Sequence, residues 1–297
     1  MRETAVAPAS VDQRWQSRVL DDVNRILLAR PWARETLLRG SMARGTGDTE
    51  SDIDLVAIAA DAEFETALRD LTSKLPHALP GRLPPWLDGI VRDFGGMGFV
   101  YLLHVGERKW GQLDIYLLPQ SRKQQLLDNE FALALQCDGG IKPFGGQAAA
   151  PVDAARRNFE VHAGADVEQA VLACYVAMFL LRKRLIRGDR LETFADTYAT
   201  ALRVRDLIFA ACYADRPERG WRDVPHAAQR SPDRDLILNV MATFAQQNVV
   251  DAAGLAHRAA GLEQIVAAVA PAVWREHGEA LCDLGRYLGG SAGRPQH

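Results

Sequence analysis

The fold is decided by residues 37–56, which read LLRGSMARGTGDTESDIDLV. Residues 35–39 predict a short strand that runs directly into Gly40 and Ser41. A polar, glycine-rich stretch follows, and the apolar run from Ile53 to Ile58 predicts a second, buried strand. Two strands joined in this way indicate a sheet domain in the first half of the chain.

Asp52 and Asp54 lie two positions apart at the start of the second strand. Because side chains two apart on a strand point to the same face, we expect both carboxylates on one side of the sheet, with Ile53, Leu55 and Ile58 in the buried layer. Mg²⁺ prefers oxygen ligands from one or two carboxylates and substrate phosphates, and paired metal ions can hold both reacting oxygens of a phosphoryl transfer. The two aspartates therefore predict a Mg²⁺ site.

Gly40, Ser41 and Arg44 form a candidate anion-binding segment. A strand that passes into a helical turn here would present backbone N–H groups and the Ser41 hydroxyl to an anion, and glycine permits close backbone approach. Arg44 can neutralise charge one turn on, with a solvated turn residue as the alternative. Asp48 and Glu50 are interpreted as solvated loop charges. The segment predicts a triphosphate site.

A third carboxylate, Asp114, interrupts the apolar run 112–118. That run and 99–105 predict an antiparallel hairpin around the charged turn 106–109. Because one face of the strand should be core, a carboxylate there indicates a function. Asp114 is either a metal ligand or the general base that takes the proton from an acceptor hydroxyl, and the residues do not separate the two roles.

The rest of the chain predicts an α+β protein with a boundary near residue 150. A first helix, capped by Ser10, carries apolar positions from Trp15 to Leu27, and a second helix spans about 61–75. Four prolines make 76–86 an irregular loop. We expect domains at 1–150 and 151–290, a disordered tail over 291–297, and helices in the second half at 153–163, 165–187, 189–214, 232–247, 254–268 and 271–288.

The composition of the chain limits the classes of partner that we expect it to bind. The chain has 297 residues, which favours two domains. Its 48% hydrophobic and 25% charged residues are typical of a globular protein. A net charge of −3 disfavours nucleic acid. Four separated cysteines and scattered histidines indicate no zinc site, and we interpret the cysteines as buried thiols in a reducing compartment. No secretory signal or membrane-length apolar run is present, so we expect a cytoplasmic protein without a membrane partner, and a homodimer stays open.

The order of the motifs resembles the DNA polymerase β-type nucleotidyltransferase superfamily: Gly40-Ser41, a spacer, Asp52-Ile53-Asp54 on a strand, and Asp114 on a later strand. A small α/β domain followed by an all-helical domain is similar to the antibiotic-modifying branch, the kanamycin and lincosamide nucleotidyltransferases. The helix end 183–189 is also similar to that branch. The motifs cover residues 35–118, and the helical half resembles the branch only in outline.

The resemblance implies a mixed five-stranded sheet and Mg²⁺-dependent transfer of a nucleoside monophosphate from an NTP, with ATP as first choice, to a hydroxyl of a small molecule. Pyrophosphate would be released, and an aminoglycoside or lincosamide antibiotic is the expected acceptor. Asp52 and Asp54 would be catalytic metal ligands, and Asp114 the base, a ligand or both. Gly40, Ser41 and Arg44 would bind the nucleotide, as would Lys183, for which the alternative is a favourable interaction of the basic helix end with the helix dipole.

Several alternatives stay open. Glu160, Asp166 or Glu168 could be the base instead, or could face a cationic amino sugar, although each is more often a helix-surface charge. Trp86, Trp110 and Tyr116 could stack on a base or an acceptor, with ordinary packing as the alternative. The alternative functions are protein-modifying AMP transfer, RNA-directed nucleotidyl transfer and a retired nucleotide-binding module. The acidic net charge disfavours RNA, and three intact aspartates disfavour retirement.

Overall fold

A computed structural model describes residues 14–81, 83–107, 109–134, 167–213, 220–246 and 251–290. They divide into two compact units. The sheet unit contains described residues 14–80, 88–107 and 111–134, and the helical unit contains 83–87, 109–110 and those from 167 onward. A five-stranded sheet in the first half and helices in the second confirm the predicted α+β class. The predicted connector 138–151, the helix 153–163 and the tail 291–297 lie outside the described residues.

The sheet unit begins with a helix and continues with alternating strands and short helices. In chain order the elements of the first half are α1 (Arg14–Leu28), β1 (Ala33–Arg39), α2 (Gly40–Ala43), β2 (Ile53–Ala59), α3 (Phe64–Arg69), α4 (Leu75–Ala78), β3 (Trp86–Asp88), β4 (Met97–Gly106), β5 (Lys109–Pro119) and α5 (Lys123–Ala134). Trp86 and Leu87 of β3 and Lys109 and Trp110 of β5 belong to the helical unit. The first helix is confirmed and buries Trp15, Val23 and Leu27, whereas its predicted cap, Ser10, lies outside the described residues.

The sheet has the strand order β1-β2-β5-β4-β3. β1 pairs with β2 antiparallel and sets Arg39 opposite Asp54. β2 pairs with β5 parallel and sets Asp54 opposite Asp114. The sheet is therefore mixed, and its central strands are buried along most of their length, as expected for parallel strands covered on both faces.

The predicted helix over 61–75 is partly wrong, because the helical backbone changes geometry three times. A 3₁₀ turn at Asp61–Glu63 leads into α3, and a π-helical turn at Asp70–Lys74 separates α3 from α4. The buried Asp70 carboxylate accepts hydrogen bonds from Trp32 Nε1 at 3.0 Å and from Lys74 Nζ at 2.7 Å. Burial alone would raise the pKa of Asp70, but these hydrogen bonds hold it below its ordinary value.

The predicted irregular loop over 76–86 is also partly wrong. Pro76 lies in the first turn of α4, where the missing N–H has no helical partner to lose. Trp86 begins β3, the edge strand of the sheet, after Pro84 and Pro85. Proline is tolerated before and at sheet edges because no ladder hydrogen bond is needed there. The two hairpin strands are longer than predicted, so the connection between β4 and β5 shortens from 106–109 to 107–108.

The helical unit contains α6 (Val167–Arg187), α7 (Arg190–Cys212), α8 (Val224–Ala228), α9 (Arg234–Gln246), α10 (Ala252–Val269) and α11 (Pro271–Gly289). Five of these match predicted helices within two residues at each end, and the short α8 was not predicted. Gly188, with φ 72°, ends α6, and Asp189 caps α7 by accepting from Glu192 N at 3.1 Å. The apolar run Val171 to Leu181 is largely buried, as predicted.

Three cysteines of the described chain are free thiols. Cys174 is buried, whereas Cys212 and Cys282 are only partly buried, so among these three the prediction of buried thiols is correct for Cys174. Cys137 lies outside the described residues. Among the helices that the structure describes, none is long and apolar enough to cross a membrane.

Candidate functional site

Asp54 and Asp114 are register partners on the neighbouring parallel strands β2 and β5 of the sheet unit. Asp114 is buried, and Asp54 is half-buried. Tyr116 lies beside both, with its Oη 3.4 Å from Asp54 Oδ1 and 3.4 Å from Asp114 Oδ2. Like charges on opposed residues of neighbouring strands repel, so this arrangement costs stability unless a proton donor or a cation offsets it.

Tyr116 is a neutral hydrogen-bond donor in this site. Burial raises the pKa of its phenol far above the ordinary value, and the charges of Asp114 and Asp54 raise it further. A phenol has one proton, so it donates to one of the two carboxylates at a time. Arg39 lies over the ring with its Cζ 4.7 Å from the centroid and provides positive charge next to the pair.

Gln112 fixes the plane of the Asp114 carboxylate. Its Nε2 donates to Asp114 Oδ1 at 2.9 Å and to Oδ2 at 3.0 Å, and the whole side chain is buried. Gln112 Oε1 has no hydrogen-bond partner within the described ranges. An amide that donates to both oxygens restrains rotation of the carboxylate.

Gly40 brings the end of β1 against Asp54. It has φ 69°, and a Cβ built on it would lie 2.0 Å from Asp54 Oδ2. No side chain larger than hydrogen fits there without moving the carboxylate. The sequence predicted a close backbone approach at Gly40, and in the structure the group approached is Asp54.

The loop that precedes β2 is held by its own polar groups. Asp48 Oδ1 accepts from Glu50 N at 3.0 Å and from Ser51 Oγ at 2.9 Å, and Gln16 Nε2 of α1 donates to the Asp48 carbonyl at 3.0 Å. Asp48 thus orders the loop, which is a structural role. Asp52 follows as a half-buried residue directly before β2.

The predicted phosphate-binding residues lie around α2. Ser41 is half-buried, and its carbonyl accepts from Thr46 N at 3.0 Å. Arg44 is exposed at the C-terminal end of α2. The structure thus brings Gly40, Asp54 and Asp114 together in one unit, with Ser41, Arg44 and Asp52 on the adjoining segments of the chain.

The remaining predicted residues belong to the helical unit. Lys183 is buried on α6, next to Arg182, which lies over the Tyr287 ring. Glu168 Oε1 lies 3.0 Å from His277 Nε2, and this hydrogen bond raises the pKa of His277. Glu160 and Asp166 lie outside the described residues. Roles for Lys183 and Glu168 in catalysis stay predictions.

The three aromatic residues have structural contacts. Trp110 is buried and donates from Nε1 to Asp283 at 3.1 Å. Trp86 lies under Arg203, whose Cζ is 5.5 Å from the ring. Tyr116 packs with Val56 in an apolar cluster, while its hydroxyl reaches the carboxylates. These contacts favour the packing alternative over stacking on a substrate.

Strand parity could have revealed that Gln112 and Tyr116 lie beside Asp114. The sequence analysis gave Gln112 no role and considered Tyr116 only for stacking or packing. Gln112 and Tyr116 flank Asp114 at two positions on either side, which places all three on one face of β5. The same rule corrects the position of Ile58, which shares the face of Asp54 and lies in the apolar cluster with Tyr116. The carboxylate face of the sheet becomes apolar two residues beyond Asp54, at Val56.

The donor set suits a hard divalent cation. Asp54 and Asp114 supply carboxylate oxygens on adjacent strands, and the glycine at position 40 lets the backbone approach Asp54 closely. In the helical unit, ligand atoms of Glu168, Glu276 and His277 lie within 4.8 Å of one another. Glu276 is exposed there and acidic surface groups are common, so this second group carries no metal assignment.

No protein-family model matches the chain, and a search of curated proteins finds no match. A functional assignment therefore depends on the residues themselves and on their arrangement.

Proposed function

We propose that this protein is a Mg²⁺-dependent nucleotidyltransferase that moves a nucleoside monophosphate from an NTP, ATP first, to a hydroxyl of a small molecule. The observation that carries the proposal is the opposition of Asp54 and Asp114 on parallel strands, with Gly40 against Asp54. A fold that needed only a stable sheet would gain by replacing one of these two carboxylates with an apolar residue.

Mg²⁺ is the cofactor of this proposal, and Asp52, Asp54 and Asp114 are its ligands. When bound, it would offset the charge of the triphosphate and of the leaving pyrophosphate. Gly40 and Ser41 would hold the triphosphate through backbone N–H groups and the hydroxyl, with Arg44 as an exposed cation beside them. Lys183 is proposed for the α-phosphate on the strength of the resemblance alone.

In this proposal Asp114 takes the proton of the acceptor hydroxyl, in addition to binding the metal ion. The amide of Gln112 holds both its oxygens, so the carboxylate is oriented before any substrate arrives. The acceptor oxygen would then attack the α-phosphorus, and the bond from that phosphorus to the pyrophosphate oxygen would break. The proton would stay on Asp114 until solvent removes it.

The proposal also includes an acceptor class and a location. An aminoglycoside or lincosamide hydroxyl follows from the resemblance to the antibiotic-modifying branch. Glu168, one of the residues proposed to face a cationic sugar, contacts His277 in this structure. A cytoplasmic location follows from the expected reducing environment of the thiols.

The test is incubation of the purified chain with each NTP, Mg²⁺ and a panel of antibiotics, read by mass spectrometry for an added nucleoside monophosphate. Asn replacements of Asp52, Asp54 and Asp114 should each reduce turnover by at least about 100-fold while the chain stays folded. Asp128→Asn, an exposed position on α5, is the matched control and should keep wild-type turnover.

Retained turnover in the Asp54 and Asp114 variants would overturn the assignment. Transfer to a protein or an RNA, with none to any antibiotic, would show that the chemistry is correct and the acceptor class wrong. Nucleotide binding without consumption under all acceptors would indicate a retired binding module.

A further inference from the structure

A surface cavity of about 360 Å³ lies between α10 and α11 of the helical unit. Most of its lining residues have no side chain or only a methyl group, so little fills the space between the two helices. These small residues are Ala256, Ala259 and Ala260 on α10 and Gly285, Gly289 and Gly290 on and directly after α11. The charged residue Glu263 lines the same cavity, about 10 Å along α10 from Ala256. We call this space the α10/α11 cavity.

Glu263 is the acidic residue of the α10/α11 cavity. Its side chain is half-buried, and its carboxylate lies against the backbone of Gly285, where any Cβ would collide with it. Within the described residues, no hydrogen bond or ion pair at contact distance holds this carboxylate. Burial raises the pKa of Glu263, and the charge of Arg286 offsets only part of that effect. The carboxylate therefore lacks the donor that buried polar groups ordinarily have.

The charges around the cavity favour a positively charged ligand. Arg286 also lines the cavity, but its guanidinium pairs with Asp283 of the same helix at 3.0 Å. When Glu263 is ionised, these three side chains together are negative. A cation placed at Glu263 would compensate the charge that the pair of Arg286 and Asp283 leaves over.

A buried hydroxyl lies on the inner side of Glu263. Tyr175 belongs to α6, which packs against both α10 and α11, and it is fully buried. Its Oη has no hydrogen-bond partner among the residues that the structure describes. Burial raises the pKa of Tyr175, and the charge of Glu263 raises it further, so the two groups are close although they share no hydrogen bond. An unsatisfied hydroxyl and an unsatisfied carboxylate at one end of a cavity indicate that a polar group binds there.

We infer that the α10/α11 cavity binds a small aliphatic ammonium compound, with its ammonium group on Glu263 and its aliphatic part along the alanines and glycines. An ammonium group has three donors and no acceptor, so it satisfies the carboxylate and compensates its charge. A further N–H can reach the Tyr175 oxygen through a water molecule.

The size of the cavity favours a small molecule over a protein partner. Small-molecule sites are concave, mostly apolar and about 300–1,000 Å³ in volume, with a few polar groups that fix orientation. The α10/α11 cavity lies within that range. A stable protein interface buries about 800 Å² per partner, which a cavity of this volume does not provide.

The experiment titrates the purified full chain with butylammonium and measures binding by ligand-observed NMR. Butanol and butyrate are the neutral and anionic probes of matched length. Butylammonium should bind with a Kd of about 1 mM, as expected for so small a ligand, and the other two at least about 10-fold more weakly. No NTP is present, so the result does not depend on the proposed nucleotidyl transfer.

Two variants place the binding in the cavity. Glu263→Gln removes the charge and keeps the shape, and Ala260→Leu fills the space, so each should weaken butylammonium binding by at least about 10-fold. The matched controls are Glu279→Gln on α11 and Ala253→Leu on α10, both at exposed positions outside the cavity. They should keep wild-type affinity, and circular dichroism shows that each variant is folded.

Absence of butylammonium binding to the wild type would overturn the inference. Equal binding of butanol would show that the carboxylate plays no part, and unchanged binding by Glu263→Gln would place the ligand elsewhere. A loss of the same size in Glu263→Gln and Glu279→Gln would indicate general attraction of a cation to an acidic surface, which would also overturn it.

Discussion

At the residue scale, Gly40 and Gly45 form a natural comparison, because both have φ 69° but only Gly40 touches the site. Alanine at either position should cost about 1–2 kcal/mol of unfolding free energy through the left-handed backbone. At Gly40 the new Cβ also meets Asp54 Oδ2, whereas nothing lies within 4 Å of the one at Gly45. We predict that both variants lower the Tm and that only Gly40→Ala impairs divalent-cation binding, measured by titration calorimetry.

Equal cation binding by Gly40→Ala and Gly45→Ala would contradict the role given to Gly40. If the two variants lose equal stability but only Gly40→Ala binds the cation more weakly, the steric effect of the new Cβ on Asp54 is separated from the cost of the left-handed backbone.

Gln112 allows a test of carboxylate orientation without removal of a ligand. Gln112→Leu keeps the volume but removes both hydrogen bonds to Asp114. Groups that orient metal ligands typically contribute 10–100-fold to affinity or activity, so we predict a loss in that range for Mg²⁺ affinity by calorimetry. Gln124→Leu is the matched control, because Gln124 donates to Asp128 on the exposed face of α5. A Gln112→Leu variant with wild-type affinity would contradict the prediction.

Single residues also show what the sequence could and could not predict. Asp52, Asp54 and Asp114 were predicted as candidate site residues from residue type and spacing, which are local properties of the sequence. Strand parity could also have placed Gln112 and Tyr116 on the same face of the strand as Asp114. The opposition of Asp54 and Asp114 could not be predicted, because it depends on the register between two strands distant in the chain.

At the element scale, length decides what could be predicted. The long helices α6, α7, α9, α10 and α11 had bounds that were predicted closely, because they are long and residues such as Gly188 and Pro232 mark the breaks between them. α4, α8 and β3 have three to five residues each, too few for a period to emerge. Asp70, in the π-helical turn Asp70–Lys74, accepts a hydrogen bond from Trp32, a tertiary partner that no local pattern reveals.

The contact between α6 and α11 predicts a pH-dependent stability. The hydrogen bond with Glu168 raises the pKa of His277 above its ordinary value of 6.5, despite some opposition from burial. This stabilisation is complete below about pH 6.5, where His277 is protonated in both states, and is lost as the pH rises through the folded pKa. Glu168→Gln should therefore lower the Tm more at about pH 6 than at about pH 8.5.

The matched control is Glu279→Gln, at an exposed position of α11, which should lower the Tm equally little at both pH values. A Glu168→Gln effect that grew with pH would contradict the assignment of the ion pair.

At the scale of the whole molecule, ligand binding should appear as stability. A ligand that binds only the folded chain stabilises it by about 2.7 kcal/mol at 100 times its Kd. We predict that an NTP with Mg²⁺ raises the Tm by several degrees, that either alone raises it less, and that Asp54→Asn abolishes the shift. Thermal-shift measurement over the four NTPs would also rank the donors. An equal shift with EDTA present would contradict metal-dependent binding.

The α+β class could be predicted because the change from short apolar runs to long helical periods is visible along the chain. The sheet order β1-β2-β5-β4-β3 could not be predicted, because β5 pairs with β2 although β3 and β4 lie between them in the chain. The exposed positions Leu191, Phe194 and Tyr198 were not separable from core positions by sequence, since α7 is apolar on two faces.

The parallel pairing of β2 with β5 has a consequence for how the chain folds. Tyr116 and Asp54 are 62 positions apart, so their contact closes a long loop. The contact stabilises the fold only after the conformational entropy of that loop has been lost. The hairpin partners β4 and β5 are joined by two residues and can associate quickly. We therefore expect that β5 docks onto β2 late in folding and that Asp54 and Asp114 stay apart, and well hydrated, until most of the sheet around them has formed.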